Sequence, residues 1–393
     1  MGRRKGMKIL FCNDIYPGIF GKMPARLASD SSNEVMFLSF YPRKEESFSG
    51  VIHARLNLSR NRDHLPQNRD IFVAEWEKMF SLGKQAMQTF LHIRDTGFIP
   101  DIIFVSFFDG PAFFLRHVFP QAFIVSLFRG FHSRTEKDDV RFKAVMDLQK
   151  MMLTQSNLYF VRSEVQKRYF PLSLHSLIHV WQSYVDTEFF SPQPRNLSIF
   201  FPESSDAENE LVTVHMKTGG DLSRKMMRLV LGLLMNRPRC LVALMFGGDT
   251  SRDRWKRFCH TLPESLHRRL FLAGGLEHTA YRDLLCSCTV HIFPEHINPP
   301  LQEMLECMSC GTLLMTPLSD EADGLLQDEK TMTAFPENEQ QQMTAICRVL
   351  DLGEEFEELR RNARKKIVEN CSEQAAITGQ VAFIMKEYEK YRN

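Results

Sequence analysis

Two carboxylates lie three residues apart in a segment that separates two apolar runs. Glu303 and Glu306 belong to the segment 298–311, which reads Asn-Pro-Pro-Leu-Gln-Glu-Met-Leu-Glu-Cys-Met-Ser-Cys-Gly. A spacing of three residues places two side chains on neighbouring points of a helix surface. A carboxylate near the start of a helix that faces a crevice can accept hydrogen bonds from sugar hydroxyls, and backbone N–H groups at the helix start can hold a phosphate. Taken alone, however, the segment is explained better by an ordinary amphipathic helix with two solvated acids.

The elements on either side of this segment predict where its helix starts and ends. The apolar run 289–294 before it and the run 312–317 after it both predict buried strands, and Gly311 predicts the end of the helix. A strand, a polar loop, a helix and a second strand in this order form a βαβ unit. Ligands bind at the carboxyl ends of the strands in such sheets. The sequence therefore predicts a ligand site near the start of this helix.

The length and composition of the chain favour two globular domains. A length of 393 residues allows two domains that each bury a core. Apolar residues make up 44% and charged residues 25%, as in soluble globular proteins. The formal net charge of +1 gives no electrostatic case for nucleic-acid binding. Because no apolar run reaches about 18 residues and the basic start 1–6 lacks a secretory signal, we expect a cytoplasmic protein.

The nine cysteines are an odd number and lack the spacing of a disulfide framework. Cys286 and Cys288 are close in the sequence, as are Cys307 and Cys310, but no matching His or Cys residues lie nearby to complete a zinc site. We therefore expect reduced, buried thiols and no bound metal.

Strands and helices alternate through both halves of the chain. In the first half, strands are predicted over 8–13, 34–40, 100–106, 122–128, 158–161 and 177–180, and helices over 23–28, 72–95, 141–153 and 163–169. In the second half, strands are predicted over 211–215, 240–246 and 270–273, and helices over 224–236 and 281–286. The segment 54–70 predicts a polar loop, and the segment 191–210, with its prolines and acidic run, predicts a linker. The pattern is typical of two α/β domains with parallel, doubly wound sheets.

Five segments resemble, in chain order, the landmarks of one protein family. They are Pro17-Gly-Ile-Phe-Gly21, Tyr184-Val-Asp-Thr-Glu-Phe-Phe-Ser-Pro192, Phe246-Gly-Gly-Asp249, Phe271-Leu-Ala-Gly274 followed by Tyr281-Arg-Asp-Leu-Leu285, and Leu305-Glu-Cys-Met-Ser-Cys-Gly311. Over nearly its whole length the chain resembles the retaining GT-B glycosyltransferases of family 4 (glycosyl transferases group 1), which use nucleotide sugars.

This resemblance implies an α/β GT-B architecture in which two Rossmann-like, doubly wound domains face a central cleft. An N-terminal acceptor-binding domain is expected over 1–195, and a C-terminal nucleotide-sugar-binding domain over 196–372. A helix over 373–393 would cross back to the N-terminal domain. Its spaced apolar residues would then dock one face of that helix; they are Val381, Phe383, Ile384 and Tyr388.

The implied reaction is transfer of a hexose-type sugar from a nucleotide-diphosphate sugar to a hydroxyl group. The acceptor would be a glycan, a glycolipid or a protein, and the anomeric configuration would be retained. The resemblance implies no cofactor and no metal, because basic side chains and helix N-termini neutralise the leaving diphosphate in this fold.

Basic residues follow the first strand of the predicted C-terminal domain, where the family contacts the diphosphate. Lys217 comes directly after that strand, and Arg224 and Lys225 lie in the first turn of the predicted helix. Cations at a helix N-terminus are unfavourable without a compensating anion, and this local conflict favours a phosphate-binding role. The further residues that the resemblance assigns to donor binding are Gly18, Gly21, Gly248, Gly275, Pro299, Pro300 and Leu301.

Glu306 matches the second glutamate of the family's E-x7-E motif, which holds the nucleotide ribose. Asn298 stands where the motif has its first glutamate, and it can bind a sugar hydroxyl but carries no charge. Glu295 would substitute if the loop bends. His132 follows a predicted strand in a region where the family often has a histidine near the donor sugar. We therefore count Glu295, Asn298, Glu306 and His132 as candidate catalytic residues.

The replacement at Asn298 keeps three functions open. The first is an active glycosyltransferase, and the second is a catalytically degenerate GT-B protein that binds a nucleotide or a protein partner. The third is a sugar epimerase of the same fold, for which we identify no acid–base set. Several scattered bases allow a peripheral contact with the inner face of a membrane, although such bases usually form a solvated surface; they are Arg43, Lys44, Arg55, Arg60, Arg62 and Arg69.

Overall fold

Each half of the chain folds around its own parallel sheet. The computed structural model describes residues 6–41, 48–56, 71–107, 110–128, 153–168, 170, 172–204, 209–216, 220–246, 249–294, 301–318 and 326–393. The chain divides by packing into two units, Met1–Gln182 together with Ile377–Asn393, and Ser183–Ala376. Residues 183–195, which we expected in the N-terminal domain, thus pack in the second unit.

The first unit contains a seven-stranded sheet. Its strands are β1 (Lys8–Ile15), β2 (Glu34–Tyr41), β3 (Val51–Arg55), β4 (Ile102–Phe107), β5 (Phe123–Phe128), β6 (Leu158–Val161) and β7 (Ile178–Val180). Its helices are α1 (Met23–Ala28), α2 (Ile71–Asp95), α3 (Leu115–Val118) and α4 (Glu164–Arg168). The strand order is β3-β2-β1-β4-β5-β6-β7, with parallel neighbours throughout. The order reverses at β1, as in doubly wound folds.

Strand register builds a row of aromatic rings in the first unit. Phe11 of β1 is opposite Phe37 of β2 and Phe104 of β4. The ring of Phe11 stacks on both, with centroid distances of 5.8 Å to Phe37 and 4.5 Å to Phe104. Phe20 packs edge-on against Phe11 at 5.2 Å. The turn after β1 is therefore anchored in the core by its own phenylalanine.

The second unit contains a six-stranded parallel sheet. Its strands are β8 (Glu210–Met216), β9 (Cys240–Phe246), β10 (Leu270–Gly274), β11 (Val290–Ile292), β12 (Leu313–Thr316) and β13 (Thr333–Ala334). Its helices are α5 (Gly220–Asn236), α6 (Asp249–His260), α7 (Glu264–His267), α8 (His278–Ser287), α9 (Leu301–Ser309), α10 (Glu339–Asp351) and α11 (Glu357–Cys371). The strand order is β10-β9-β8-β11-β12-β13, and it reverses at β8.

The last helix, α12 (Glu373–Arg392), contributes its residues from Ile377 onward to the first unit. Phe383 packs against the rings of Phe160 and His179, at centroid distances of 6.1 Å and 4.7 Å. Ile384 and Tyr388 are buried, and the Tyr388 hydroxyl lies 3.4 Å from a carboxylate oxygen of Asp101. In the described part of the chain, no helix combines the length and apolar composition needed to cross a membrane.

The prediction of two α/β domains with parallel, doubly wound sheets is confirmed. Several boundaries were wrong, and α8 begins at His278 rather than at Tyr281. Strand β3 includes Ala54 and Arg55, which we had assigned to a polar loop, and α5 begins at Gly220 rather than at Arg224. Glycine and aspartate are weak helix formers, so Gly220 and Asp221 concealed the first turn of α5. Arg224 and Lys225 therefore lie in the second turn, and the argument from cations at the helix start is weakened.

Helix α9 ends in a hydrogen-bonded glycine cap. Gly311 has a positive φ of 76°. The N–H of Thr312 donates to the carbonyl oxygen of Cys307 at 3.2 Å, and the N–H of Gly311 donates to that of Met308 at 3.1 Å. These two bonds form a Schellman motif, which needs a left-handed residue at the position of Gly311. A Cβ atom at Gly311 would also lie 3.3 Å from a ring carbon of Pro192.

Replacing this glycine should destabilise the second unit. We expect Gly311→Ala to lower the free energy of unfolding by about 1–2 kcal/mol, because an L-residue in the left-handed region costs that much. Gly379→Ala is the control, since Gly379 lies in α12 with nothing within 4 Å of its added Cβ, and it should be neutral or raise stability by up to about 1 kcal/mol. Urea unfolding of both variants checks this, and equal stability of Gly311→Ala and the wild type would contradict it.

Candidate functional site

The carboxyl ends of the strands in the second sheet define the candidate site. Met216, Phe246 and Gly274 are aligned in register across β8, β9 and β10, so the chain leaves all three strands at the same edge. The strand order reverses between β8 and β11, and ligands in such sheets bind at the carboxyl edge beside the reversal. Helix α5 starts shortly after β8 and helix α9 shortly after β11. Two helix N-termini therefore follow neighbouring strands at this edge.

Helix α9 separates an apolar face from a polar one. Met304, Leu305, Cys307 and Met308 are fully buried, whereas Gln302 is exposed and Glu303 and Glu306 are partly buried. The apolar residues follow the spacing of one helix face. The two carboxylates therefore occupy the other face, as the sequence predicted. The carboxylate of Glu306, however, is not simply solvated.

Three segments that resembled family landmarks converge on the buried face of α9. Residues Val185, Phe190, Leu285, Leu305 and Met308 belong to one hydrophobic cluster, and they come from the segments 184–192, 281–285 and 305–311. The Ser309 hydroxyl donates to the carbonyl oxygen of Phe190 at 2.6 Å, and Arg364 of α11 donates to the same oxygen at 3.3 Å. These landmarks therefore hold α9 in place.

Burial sets the ionisation of Glu306. Burial raises the pKa of this carboxyl to about 7, against the opposing effect of a hydrogen bond from Gln302. The Gln302 amide donates to one carboxylate oxygen of Glu306 at 3.0 Å. The neighbouring charge of Glu303 adds to the increase in pKa. Near neutral pH, Glu306 therefore exchanges between its charged and neutral forms.

Tyr281 of α8 lies beside Glu306. Its ring packs edge-on against Phe190 at a centroid distance of 6.0 Å. Its hydroxyl oxygen is buried and interacts with the Glu306 carboxylate, and this interaction lowers the pKa of Glu306. Burial raises the pKa of Tyr281 far above its usual value, and the charges of Glu306 and Glu303 add to the effect. Sequence analysis used Tyr281 only as a landmark and missed it as a site residue.

The other described candidates for donor binding are spread over both units. Leu301 is the first residue of α9 and is partly buried, Arg224 of α5 is exposed, and Lys225 is partly buried. Lys225 lowers the pKa of Glu339 after the larger effect of Arg228, so Lys225 lies near the start of α10. The structure thus brings Glu306 together with Tyr281, and it places Arg224 and Lys225 on a separate helix that follows β8.

The glycines among the candidates have backbone shapes that favour glycine. Gly275 follows β10 with a φ of 67° and open space around its Cα atom. Gly18 and Gly21 lie in the first unit, with φ values of 55° and 47°. A Cβ atom at Gly18 would lie only 1.9 Å from the side-chain nitrogen of Asn13. The shape of this turn is therefore explained by packing, whatever its role in binding.

Seven of the candidate residues lie outside the described residues. They are His132, Lys217, Gly248, Glu295, Asn298, Pro299 and Pro300. Their roles stay predictions. Among the residues that the structure describes, no group of three or more His, Cys, Asp and Glu side chains is arranged to hold a metal ion.

Two histidines that the sequence analysis did not select lie close to the candidate site. His291 in β11 is fully buried, and its ring is hydrogen-bonded to the Thr213 hydroxyl at 2.5 Å. Burial lowers the pKa of His291 well below its usual value, with a smaller contribution from His215. Both rings contact Phe293, with centroid distances of 4.5 Å to His291 and 5.1 Å to His215. A histidine within an apolar strand run is the signal that would have identified them.

A cavity of about 450 Å³ lies at the opposite, amino-terminal edge of the second sheet. Its lining includes Phe200, Glu203, Asn209, Leu241, Arg268 and Arg269. The Arg269 guanidinium already donates to five main-chain carbonyl oxygens, and Arg268 pairs with the carboxylates of Glu203 and Glu264. The positive charges of these two arginines are already compensated, and the cavity lies away from the carboxyl ends of the strands. We therefore do not place the nucleotide sugar in this cavity.

Comparison with known proteins gives a family match over part of the chain and structures that share its fold. Residues 31–190 match the family model described as glycosyl transferase family 4 group. Over its whole length the chain is similar to sucrose-phosphate synthase from Thermosynechococcus elongatus, with 14% identity, a TM-score of 0.75, and coverage of 98% of this chain and 100% of the other. The chain has the GT-B fold. The prediction of the fold class is thereby confirmed.

Two further structures with this fold were solved with nucleotides. Anabaena HepE, in complex with UDP and glucose, shows 14% identity and a TM-score of 0.68, covering 97% of this chain and 99% of the other. The catalytic domain of starch synthase IV from Arabidopsis thaliana, bound to ADP and acarbose, shows 11% identity and a TM-score of 0.69, covering 98% and 100%. A comparison with curated protein sequences gave no match. At these identities the likeness concerns the fold alone.

All nine cysteines are free thiols, and two of them meet between α8 and the end of α9. The Cys286 sulfur lies 3.4 Å from the carbonyl oxygen of Ser191. A hydrogen bond from the Cys310 thiol lowers the pKa of Cys286, while burial acts in the opposite direction. The same contact and burial raise the pKa of Cys310. Cys286 is only partly buried, so its thiolate is both favoured and accessible.

Cys286 should react first among the thiols of the folded protein. We expect iodoacetamide at pH 7 to modify Cys286 faster than the partly buried Cys347, as measured by mass spectrometry of peptides. Cys310→Ala should slow the modification of Cys286 about three- to tenfold, because the thiolate loses its donor. Cys310→Ser retains an O–H donor and is the matched control. Modification of Cys347 before Cys286 would contradict the prediction.

Proposed function

We propose that the protein is a metal-independent, retaining glycosyltransferase that moves a sugar from a nucleotide-diphosphate sugar to a hydroxyl group of an acceptor. One observation carries the proposal. Glu306 is a partly buried carboxylate on a helix that starts at the carboxyl edge of the second sheet, in a fold shared with structures solved with UDP and ADP. We assign acceptor binding to the first unit, and we expect a glycan, glycolipid or protein as acceptor.

The carboxylate suits the ribose of the nucleotide. An ionised carboxylate only accepts hydrogen bonds and has about four acceptor positions on its two oxygens. One oxygen of Glu306 accepts from Gln302, and positions remain for two neighbouring hydroxyl groups. Hydrogen bonds to a charged group are the stronger kind. A ribose diol therefore compensates the burial of Glu306 better than solvent does.

The helix starts suit the diphosphate. Helices α5 and α9 begin after β8 and β11, which are hydrogen-bonded neighbours, and helix N-termini attract anions through their free N–H groups. Arg224 and Lys225 of α5, together with Lys217, add positive charge. Negative charge grows on the diphosphate as the bond to the anomeric carbon breaks, so these groups stabilise the transition state more than the bound donor.

Catalysis on the sugar is assigned to the residues around its anomeric carbon. Retention requires that the bond to the acceptor oxygen forms on the ring face from which the diphosphate leaves. We place His132, Glu295 and Asn298 near the sugar. Asn298 offers hydrogen bonds where a glutamate would offer charge, so a catalytically degenerate GT-B protein that binds a nucleotide or a protein partner is the second candidate.

Nucleotide binding tests the donor site that the glycosyltransferase proposal requires. We expect calorimetry without metal, with UDP, GDP, ADP and their common sugar conjugates, to show binding of one nucleotide series. Glu306→Ala and Arg224→Ala should each weaken that binding at least about tenfold, because each removes a charge-assisted interaction. Glu354→Ala, at an exposed position in the turn Gly353–Phe356, is the control and should bind like the wild type. A folded protein that binds none of these ligands would refute the glycosyltransferase proposal and leave a degenerate GT-B protein that binds a protein partner.

Binding should also depend on pH through Glu306. The pKa of Glu306 is raised to about 7, so the charged form that accepts the ribose hydroxyls is lost as the pH falls through 7. We expect the affinity for the nucleotide sugar to fall roughly tenfold between pH 8 and pH 6. A nucleotide sugar is the right probe, because its diphosphate does not titrate in this range. Glu306→Gln should bind weakly with a flat profile, and an unchanged slope in this variant would exclude Glu306 as the titrating group.

A further inference from the structure

The contact between α8 and α9 places a buried hydroxyl beside the carboxylate of the candidate site. The Tyr281 hydroxyl is shielded from solvent, and it has no hydrogen-bond partner among the described residues. Buried hydroxyl groups are almost always hydrogen-bonded, so an exception calls for an explanation. The Glu306 carboxylate is an acceptor that interacts with this hydroxyl, and the interaction raises the pKa of Tyr281 and lowers that of Glu306.

Packing, and not hydrogen bonding, fixes the position of this hydroxyl. The Tyr281 ring packs against Phe190 and alongside the hydrophobic cluster that holds α9. Its main-chain N–H donates to Glu277 within the first turn of α8. The oxygen is thus held in place before any ligand arrives.

The number of acceptor positions on Glu306 suggests a function for a hydrogen bond from Tyr281. Gln302 occupies one position on Oε1, and a ribose diol would occupy two more. One of about four positions is then left for a protein donor. Tyr281 is the donor that the structure places there.

We propose that Tyr281 is a positioning residue, whose hydroxyl donates to the Glu306 carboxylate in the nucleotide-bound protein and orients it toward the vicinal hydroxyls of the ribose. This inference rests on the proposed function, because it assumes that a nucleotide binds at Glu306. Tyr281 itself does not contact the reacting atoms. It favours the charged form of Glu306 and fixes the direction of its free acceptor positions.

The groups around Glu306 support this assignment. Its own helix presents Gln302, which donates, and Glu303, whose like charge disfavours the ionised form. Helix α8 presents Tyr281. From α11, which also packs along α9, the Arg364 side chain donates to the main-chain carbonyl oxygens of Phe190 and Ser309. Tyr281 is thus the donor on a neighbouring helix that opposes the effect of Glu303 among the described residues.

Tyr281→Phe tests the proposal, because it removes only the hydroxyl and keeps the ring in the core. The probe is the nucleoside diphosphate that binds the wild type best among UDP, GDP and ADP, together with its 2′-deoxy form, both at pH 8. We expect Tyr281→Phe to bind the ribonucleotide about tenfold more weakly than the wild type. Its melting temperature should change little, because the removed hydroxyl makes no hydrogen bond of ordinary length and angle before the nucleotide binds. Tyr391→Phe, on the exposed end of α12, is the matched control.

Coupling to the 2′-hydroxyl distinguishes positioning from a general structural effect. The wild type should lose more affinity than Tyr281→Phe when the 2′-hydroxyl is removed, because the variant no longer orients Glu306 toward it. The midpoint of the pH dependence of nucleotide-sugar binding should also move upward in Tyr281→Phe. If the wild type binds and the variant matches it in affinity and midpoint, or if the two losses simply multiply, the inference is wrong. If the wild type binds no nucleotide, the proposed function fails, and this inference fails with it.

Discussion

The burial of one face of helix α9 is the constraint on which the candidate site depends. Because residues three and four apart share a helix face, burying Met304, Leu305 and Met308 leaves Gln302 and Glu306 together on the other side. The glycine cap and the bond from Ser309 to the Phe190 carbonyl oxygen fix the end of the helix. The apolar contact therefore decides where the carboxylate lies, and polar interactions only adjust it.

Two opposing effects then decide the state of that carboxylate. Burial favours the neutral acid, while the hydrogen bond from Gln302 favours the charged form, and burial prevails. A helix interior offers few donors to a side chain, so the protein leaves the desolvation of Glu306 only partly compensated. A ligand with two adjacent hydroxyl groups supplies the missing donors. In the function that we propose, this incomplete compensation favours nucleotide binding at this point.

Sequence patterns predicted the sheets well, because the strands of a buried parallel sheet are continuous apolar runs, as in β8, β9 and β11. They also identified Glu306, because its position relative to Gly311 fixes the register of its helix. They misplaced the start of α5, where Gly220 and Asp221 have low helix propensity. They missed the contact between Tyr281 and Glu306. These residues lie on two different helices, and the hydrophobic periodicity of one helix does not predict how it packs against another.

Three of the segments that resemble family landmarks contribute to the fold, and Glu306 is the one residue within them that is assigned to ligand binding. The segments 184–192, 281–285 and 305–311 contribute side chains to one core, so their resemblance to a family reports how α9 is held. Glu306 is the carboxylate within them that burial perturbs, and it faces a donor that the core positions. In the function that we propose, the replacement at Asn298 bears on how the sugar is activated and not on the ribose contact of Glu306. Nucleotide binding and sugar transfer are therefore separable parts of the proposal, and nucleotide binding is the part for which the described residues give an argument.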